Sequence, residues 1–344
     1  MHYYAYMRNI VLLLFISISS LLSAQIGGNA TYQFLNLINN PRMAALGGKV
    51  ITNADYDPVS AIWNPANINA EMHNQLSLNY TNYIGDVNYG TVAFARNIID
   101  SVQVLHAGIT YLNYGTFDGY DETGNSTGSF TGGEVALSVG YARNIPETDF
   151  HIGANAKLIS SKLEQYTSLG GAIDLGVSYI NKESGLNISA VGRNIGSQFT
   201  PYHEDYEPLP FELLLGFSQK LENIPVRWHL TLENMQKWDL AFSNPARDQT
   251  DLEGNVISEK VGFFDHAIRH VIMGVELFPD RGFNVRLGYN FRRGEELRIL
   301  DKRAFAGLSG GFSVKLNKFR LSYSYSQYSM AANASFFGLN IDFQ

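Results

Sequence analysis

Apolar and polar residues alternate along most of the chain. The clearest run lies near the end, where Phe319, Leu321, Tyr323 and Tyr325 alternate with Arg320, Ser322, Ser324 and Ser326. Successive side chains of a strand point to opposite faces, so this segment has one apolar and one polar face. From residue 75 onward the pattern predicts about fourteen such strands of roughly ten residues, the length a tilted strand needs to cross a bilayer. The chain is therefore expected to be all-β, a transmembrane antiparallel β-barrel.

The connections between these strands alternate in length as well. Short joins such as 181–184 and 317–318 fall between longer ones at 115–129, 195–210, 236–266 and 293–303. Outer-membrane barrels have short turns on the periplasmic side and longer loops outside. A water-soluble β-sandwich also alternates, but it rarely has this consistent asymmetry of loops. The cell outer membrane is therefore the expected location.

The N-terminal quarter has a different pattern. Arg8 precedes a short apolar stretch that ends near Ala24, which is the layout of a cleaved signal peptide over residues 1–24. Residues 25–74 do not alternate and are rich in Gly and Pro. We expect them to form a plug in the lumen or at the periplasmic mouth, although a loop-rich extension would have the same composition. Residues 75–344 are then the barrel.

Composition narrows the possible functions. The 344 residues include no cysteine, so disulfides and thiolate chemistry are excluded, and the net charge of -7 argues against a nucleic-acid partner. The 20 Tyr and 21 Phe are typical of aromatic girdles at the two membrane interfaces. No nucleophile with a neighbouring base can be named, so an outer-membrane hydrolase is disfavoured and no cofactor is expected.

Three segments resemble a known family. Residues 31–48 read TYQFLNLINNPRMAALGG, residues 63–68 read WNPANI, and residues 72–96 read MHNQLSLNYTNYIGDVNYGTVAFAR. They resemble the PorQ family of the type IX secretion system, within the PorV/PorQ group of barrels that is similar to the FadL fatty-acid transporters. The resemblance implies a fourteen-stranded barrel with an N-terminal plug. It also implies a non-enzymatic protein that anchors a PorZ-like surface protein in an attachment complex with PorU and PorV.

Two sets of residues are candidate sites. The proposed plug motif comprises Pro41, Arg42, Gly47, Gly48, Asn64 and Pro65, where Gly permits unusual backbone angles and Asn before Pro favours a tight turn. The proposed partner-binding set comprises Tyr202, Glu204, Asp205, Tyr206, Trp238, Phe242, Phe263 and Phe264, in the loops at 199–210 and 236–266. Aromatic side chains are favoured at protein interfaces, but a solvated loop is the alternative for both segments.

Charged residues and histidines have simpler interpretations. The inward-facing positions include Lys157, Asp174, Glu212, Arg227, Glu233, Glu276, Arg286 and Arg292, which could line a conduit but are more simply paired within the barrel. His266 and His270 are predicted to flank the start of a strand, where four residues span about 13 Å and cannot share a metal ion.

A FadL-like transporter of hydrophobic small molecules is the alternative function. It requires an apolar pocket in the lumen, whereas the alternation predicts inward positions dominated by Ser, Asn, Gly and charged residues.

Overall fold

Fourteen antiparallel strands close into one barrel in the computed structural model, which describes residues 30–99, 103–242, 249–250, 256–257, 260–297, 305–328 and 333–344. The strands are β1 (Gln75–Asn82), β2 (Asn88–Ile99), β3 (Gln103–Tyr120), β4 (Ser126–Asn144), β5 (Phe150–Leu163), β6 (Tyr166–Asn181), β7 (Leu186–Thr200), β8 (Glu212–Lys220), β9 (Val226–Leu232), β12 (Val271–Leu277), β13 (Phe283–Asn290), β14 (Leu308–Leu316), β15 (Phe319–Gln327) and β16 (Asn333–Asp342). Two short strands, β10 (Gln249–Thr250) and β11 (Val256–Ile257), pair with each other. The predicted fold is confirmed, while the predicted signal peptide lies outside the described residues.

The barrel closes between its first and last strands. β1 pairs with β2 on one side and with β16 on the other, so that Leu78 lies opposite both Val92 and Leu339. Closure leaves no free sheet edge around this wall, which is how a sheet satisfies its backbone groups in a medium without water.

The two faces of the wall differ sharply. Side chains such as Val139 and Leu287, 60% and 57% exposed, point outward, whereas Ser138 and Asp174 point inward and are buried. An exposed apolar surface of this extent is unusual on a water-soluble protein and is typical of a membrane-facing wall.

The two ends of the barrel also differ. Short connections join β2 to β3, β4 to β5, β6 to β7, β8 to β9, β12 to β13 and β14 to β15, and we call this the turn end. The opposite end, the loop end, has most of the longer connections, although residues 164–165 alone join β5 to β6 there.

The expected loop at 115–129 is largely wrong. β3 continues to Tyr120 and β4 begins at Ser126, so the segment is a β-ribbon in which Phe117 stacks on Phe130 at 5.4 Å. The carboxylate of Asp121 closes its turn by accepting hydrogen bonds from Thr123 and Asn125. The alternation did not predict these strand extensions, because neither face of the ribbon is buried and both faces carry Gly and polar residues.

The described residues outside the strands include four short α-helices, α1 (Pro41–Ala45), α2 (Ser60–Trp63), α3 (Phe263–Arg269) and α4 (Phe291–Glu296), and three 3-10 helices at Gln33–Asn36, Pro65–Asn67 and Ala70–Met72. In the described part of the chain, none of the helices is long and apolar enough to cross a membrane. The alternation of the sequence extends through Arg292 and predicts a strand that long, but in the structure β13 ends at Asn290. Its side chain accepts a hydrogen bond from the Arg293 backbone at 2.8 Å and caps α4.

Candidate functional site

Residues 30–74, which we call the plug, lie inside the barrel and contact every one of its fourteen strands. The contacts include hydrogen bonds from Asn64 to Ser178 of β6 at 3.1 Å and from Asn155 of β5 to the Ala61 carbonyl at 2.8 Å. On the opposite wall, Ser309 of β14 donates to the Ala45 carbonyl at 3.3 Å. The plug is therefore attached all around the lumen.

Local hydrogen bonds fold the plug into short turns. The Asn40 side chain accepts from the backbone N–H groups of Arg42 and Met43, and Pro41 occupies the first turn of α1, where a missing N–H costs nothing. Asn64 caps the turn at Pro65–Asn67 in the same way. An Asn-Pro pair therefore begins a helical turn at two places in the plug, Asn40-Pro41 and Asn64-Pro65. All six residues of the predicted plug motif are buried in the lumen.

The Asp57 carboxylate is the main polar hub of the plug, and no feature of the sequence singled it out. One oxygen accepts from Asn40 at 2.6 Å. The other accepts from Ser77 of β1 at 2.8 Å and from Asn340 of β16 at 3.0 Å. Because β1 and β16 are the strands that close the barrel, Asp57 ties the plug to the closure itself.

Glycines in the wall let the plug backbone approach closely. A Cβ added at Gly288 of β13 would overlap backbone atoms of Leu46 and Gly47, and one added at Gly153 of β5 would overlap the backbone of Pro65. Gly47 also has φ of 100°, a conformation that L side chains rarely adopt. The shape of the lumen is thus matched to the plug backbone at these positions.

One buried ion cluster lies in the turn half of the lumen. Arg42 of the plug pairs with Asp55 and, at 2.8 Å, with Glu276 of β12. Arg286 of β13 also donates to Glu276, at 2.7 Å. Burial raises the pKa of Asp55, but the charges of Arg42 and Arg227 and the hydrogen bond from Arg42 together outweigh it, so the net pKa lies below the ordinary value.

A second cluster lies nearer the loop end. Lys49 of the plug reaches Glu212 at 2.5 Å and Glu233 at 3.0 Å. Arg193 and Arg292 neutralise the same two carboxylates at 3.6 and 3.1 Å. Lys157 and Asp174 form a further pair at 2.6 Å, and Arg227 lies 3.7 Å from Glu276. The inward charges that the sequence identified are therefore paired with one another and with the plug.

The loop half of the lumen also contains an apolar cluster beside these charges, which the sequence analysis missed. Inward-facing residues of the wall form a buried cluster with plug side chains: Tyr89, Leu112, Ile159, Leu214 and Phe336 pack with Tyr32, Phe34, Leu35 and Met43. The sequence analysis missed these wall residues because they alternate in step with inward-facing Ser and Asn residues nearer the turn end. The available signal was that the inward-facing positions become more apolar toward the loop end.

Aromatic side chains form an exposed cluster at the loop end, which we call the aromatic rim: Trp238, Phe263 and Phe264. The ring centroids of Trp238 and Phe263 lie 5.0 Å apart, and those of Phe263 and Phe264 lie 5.7 Å apart. Phe264 is 83% exposed and Phe263 is 66% exposed. The structure thus brings together three of the predicted partner-binding residues.

The other predicted partner-binding residues are more dispersed. Phe242 is exposed and lines a cavity of about 160 Å³ with Ile268 and Phe291. Glu204, Asp205 and Tyr206 are exposed on the loop between β7 and β8. Tyr202 is half-buried, with its ring 6.4 Å from Tyr32 and its hydroxyl donating to Ser161. Tyr202 therefore packs with the interior rather than standing free for a partner.

His266 lies on α3 and His270 is its C-terminal cap, so the strand predicted to start between them begins later than expected, at Val271. Their rings lie 6.4 and 5.3 Å from Trp238. Both nitrogens of His270 have backbone carbonyl partners, those of Glu233 and Trp238. The two imidazoles support the rim. Among the residues that the structure describes, no three His, Asp or Glu side chains are grouped to hold a metal ion.

Comparison with known proteins supports the fold. No protein family and no curated protein sequence matches the chain. Among solved structures, the toluene transporter TbuX of Ralstonia pickettii is 13% identical, with a TM-score of 0.53 over 90% of this chain and 100% of that one. A FadL homologue of Pseudomonas aeruginosa is 10% identical, with a TM-score of 0.49 over 90% and 99% of the two chains. The chain thus has a barrel fold similar to that of TbuX.

Proposed function

We propose that this chain is a non-enzymatic outer-membrane barrel that anchors a surface protein at its loop end. The partner would be a PorZ-like component of a type IX secretion attachment complex, as the resemblance of residues 31–48, 63–68 and 72–96 implies. The observation that carries the proposal is the aromatic rim, held on a barrel whose plug is attached to every strand. Outer-membrane lipid surrounds the apolar wall.

The rim has the properties of a protein-binding surface. Trp and Phe bury a large area on binding and lose little side-chain entropy. Trp238 is already stacked on His270, and Phe263 already packs against Trp238, so part of the ordering precedes binding. The acidic residues Glu204 and Asp205 on the neighbouring loop would contribute to the polar surroundings of such an interface.

A rim variant in the native bacterium tests this proposal. The double substitution Phe263→Ala and Phe264→Ala is expected to release the PorZ-like protein from the cell surface while the barrel stays at its normal level. Tyr120→Ala, at an equally exposed aromatic residue on the β-ribbon, is the matched control. Surface immunoblotting measures both. Unchanged retention in the rim variant, or in a strain that lacks the whole gene, would contradict the anchoring role.

Transport of a hydrophobic small molecule is the second candidate. It is favoured by the similarity to a toluene transporter and by the apolar cluster in the loop half of the lumen. Of the two candidates, only transport has a counterpart among the solved structures compared above. A shared barrel does not by itself carry function, however, and at 13% identity the similarity concerns the fold alone.

Ligand binding by the purified barrel distinguishes the two candidates. A transporter is expected to bind a fatty acid such as palmitate inside the lumen, and Leu214→Glu, which places a charge in the apolar cluster, is expected to abolish that binding. Calorimetry in detergent free of fatty acid measures it. Palmitate binding that Leu214→Glu removes and the rim variant leaves intact would replace the anchoring proposal with transport.

A further inference from the structure

The outer wall has an apolar groove at the seam where the barrel closes. It has a volume of about 730 Å³ and extends across β14, β15, β16, β1, β2 and β3. Leu78, Val92, Ile109, Phe337 and Leu339 are among its lining residues. All five belong to the outward parity of their strands, so the groove faces the surroundings of the barrel rather than the lumen.

A polar pocket of about 410 Å³ lies beside this groove, toward the loop end. Its lining includes Asn113, Thr116, Thr131, Ser160 and Lys162, from β3, β4 and β5. Gly133 leaves room beside Tyr111 where another residue would place a side chain. The pocket lies where the apolar wall gives way to the exposed β-ribbon.

Tyr111 lines both depressions and is 48% exposed. On β3 the apolar Ile109 lies on its groove side and the polar Asn113 on its pocket side. The two depressions are thus adjacent, one apolar and one polar, along the direction from the centre of the wall to the loop end. Tyrosines are enriched at this level in membrane barrels, because the ring can lie in hydrocarbon while the hydroxyl reaches the headgroups.

We propose that these two depressions form one binding site for an anionic, phosphate-bearing lipid of the leaflet at the loop end. The acyl chain lies in the seam groove and the headgroup lies in the polar pocket against Lys162. The proposal rests on the membrane placement given above, but not on the aromatic rim or on any partner protein.

Charge favours an anionic rather than a cationic headgroup. Lys162 is the one charged residue in the lining of the pocket, and within the described ranges it makes no ion pair with a carboxylate. Ser, Thr and Asn side chains beside it supply donors for phosphate oxygens. Asp86 packs against Gly115 at the edge of the pocket, so its charge opposes an anion held there. Removal of that charge should therefore strengthen binding.

Native mass spectrometry of the purified barrel tests the proposal, with phosphatidylglycerol and phosphatidylcholine as the probes in mixed detergent micelles. The wild type is expected to retain one phosphatidylglycerol molecule in preference to phosphatidylcholine. Lys162→Glu is expected to lower the retained fraction by at least about fivefold, since one basic residue near a membrane surface contributes roughly that factor. Asp86→Asn is expected to raise it. Lys182→Glu, at an exposed lysine of the turn end, is the charge control.

A second pair of variants tests the acyl-chain part. Val92→Trp fills the seam groove and is expected to lower lipid retention, whereas Val139→Trp, at an exposed position of the wall outside the groove, is expected to leave it unchanged. Heat-modifiable migration on gels shows that each variant is folded. Equal retention in wild type, Lys162→Glu and Val92→Trp would overturn the proposal, as would equal retention of the two lipids by the wild type. Because every measurement uses the isolated barrel, these results are independent of partner anchoring.

Discussion

The plug and the aromatic rim are both built from short irregular segments, yet their side chains meet opposite environments. Arg42 and Asp57 of the plug are buried and have specific partners on several strands, while Phe263 and Phe264 of the rim are mostly in solvent. Substitution in the plug removes contacts that the folded barrel already makes. Substitution in the rim removes only contacts that a partner would make. The comparison separates residues that hold the molecule together from residues available for binding.

The largest expected effect is at Gly288, where the wall touches the plug backbone. Gly288→Val is expected to displace the plug or prevent stable folding, at a cost of more than about 3 kcal/mol, because the new side chain meets main-chain atoms of Leu46 and Gly47 that cannot rotate away. Urea unfolding of the barrel in detergent, followed by tryptophan fluorescence, measures the loss.

Gly310→Val is the matched control for this change. Gly310 lies on the neighbouring strand β14, and its added Cβ would meet only the Leu287 side chain at 3.2 Å and the Arg286 carbonyl at 3.6 Å. We expect it to unfold close to the wild-type urea concentration. Similar losses at both positions would mean that the plug contact is not what makes Gly288 sensitive.

Arg42→Met is expected to destabilise the barrel by about 3 kcal/mol. The substitution leaves Asp55 and Glu276 without their shared buried cation, and breaking one partner of a buried pair costs far more than the pair contributes on the surface. Arg286 remains beside Glu276 and limits the loss. The same urea titration measures the change.

Lys182→Met provides the surface counterpart of that experiment. Lys182 pairs with Glu71 at 3.3 Å, but their side chains are 79% and 56% exposed. A loss below about 0.5 kcal/mol is expected there. If Lys182→Met and Arg42→Met lowered the free energy of unfolding equally, the buried ion cluster would not be what stabilises the plug in the barrel.

The barrel could be predicted from the sequence because strand alternation leaves a direct mark, as at Phe319–Gln327. The plug contacts could not, since Asp57 meets Ser77 and Asn340 only after the first and last strands pair. The same holds for the rim: Trp238 and Phe263 are distant in sequence and meet through α3, which the alternation did not reveal. At Phe291 and Arg292 alternation continued by chance past the Asn290 cap.

Acid is expected to weaken the plug through Asp55. Its pKa in the folded protein lies below the ordinary value of about 3.9, because the charges of Arg42 and Arg227 and the hydrogen bond from Arg42 together outweigh the effect of burial. A carboxylate of this kind stabilises the folded state above its unfolded pKa, and the contribution is lost as the pH falls through the folded pKa. Stability should therefore be unchanged by this group between pH 7 and about 5 and should fall below about pH 4.

Asp55→Asn isolates the contribution of this group. The variant is expected to be less stable than the wild type at pH 7, with the difference shrinking as the pH is lowered toward about 3. Limited proteolysis of the plug across this pH series measures the difference. A constant difference at every pH would show that the Asp55 charge does not stabilise the plug.

The smallest expected effect on stability, below about 0.5 kcal/mol, is that of Phe264→Ala, because a side chain that is 83% exposed loses almost no contacts in the free barrel. The same variant is expected to weaken binding of the surface partner by at least about tenfold, as truncation of an aromatic anchor costs about 1 to 2 kcal/mol or more at an interface. Urea unfolding and biolayer interferometry with the purified PorZ-like protein measure the two quantities. Phe343→Ala, at a 57% exposed aromatic residue near the turn end, should change neither. If Phe264→Ala lowered stability but left binding unchanged, Phe264 would be a residue that stabilises the fold, as the plug contacts do. The assignment of the rim to partner binding would then lose its basis.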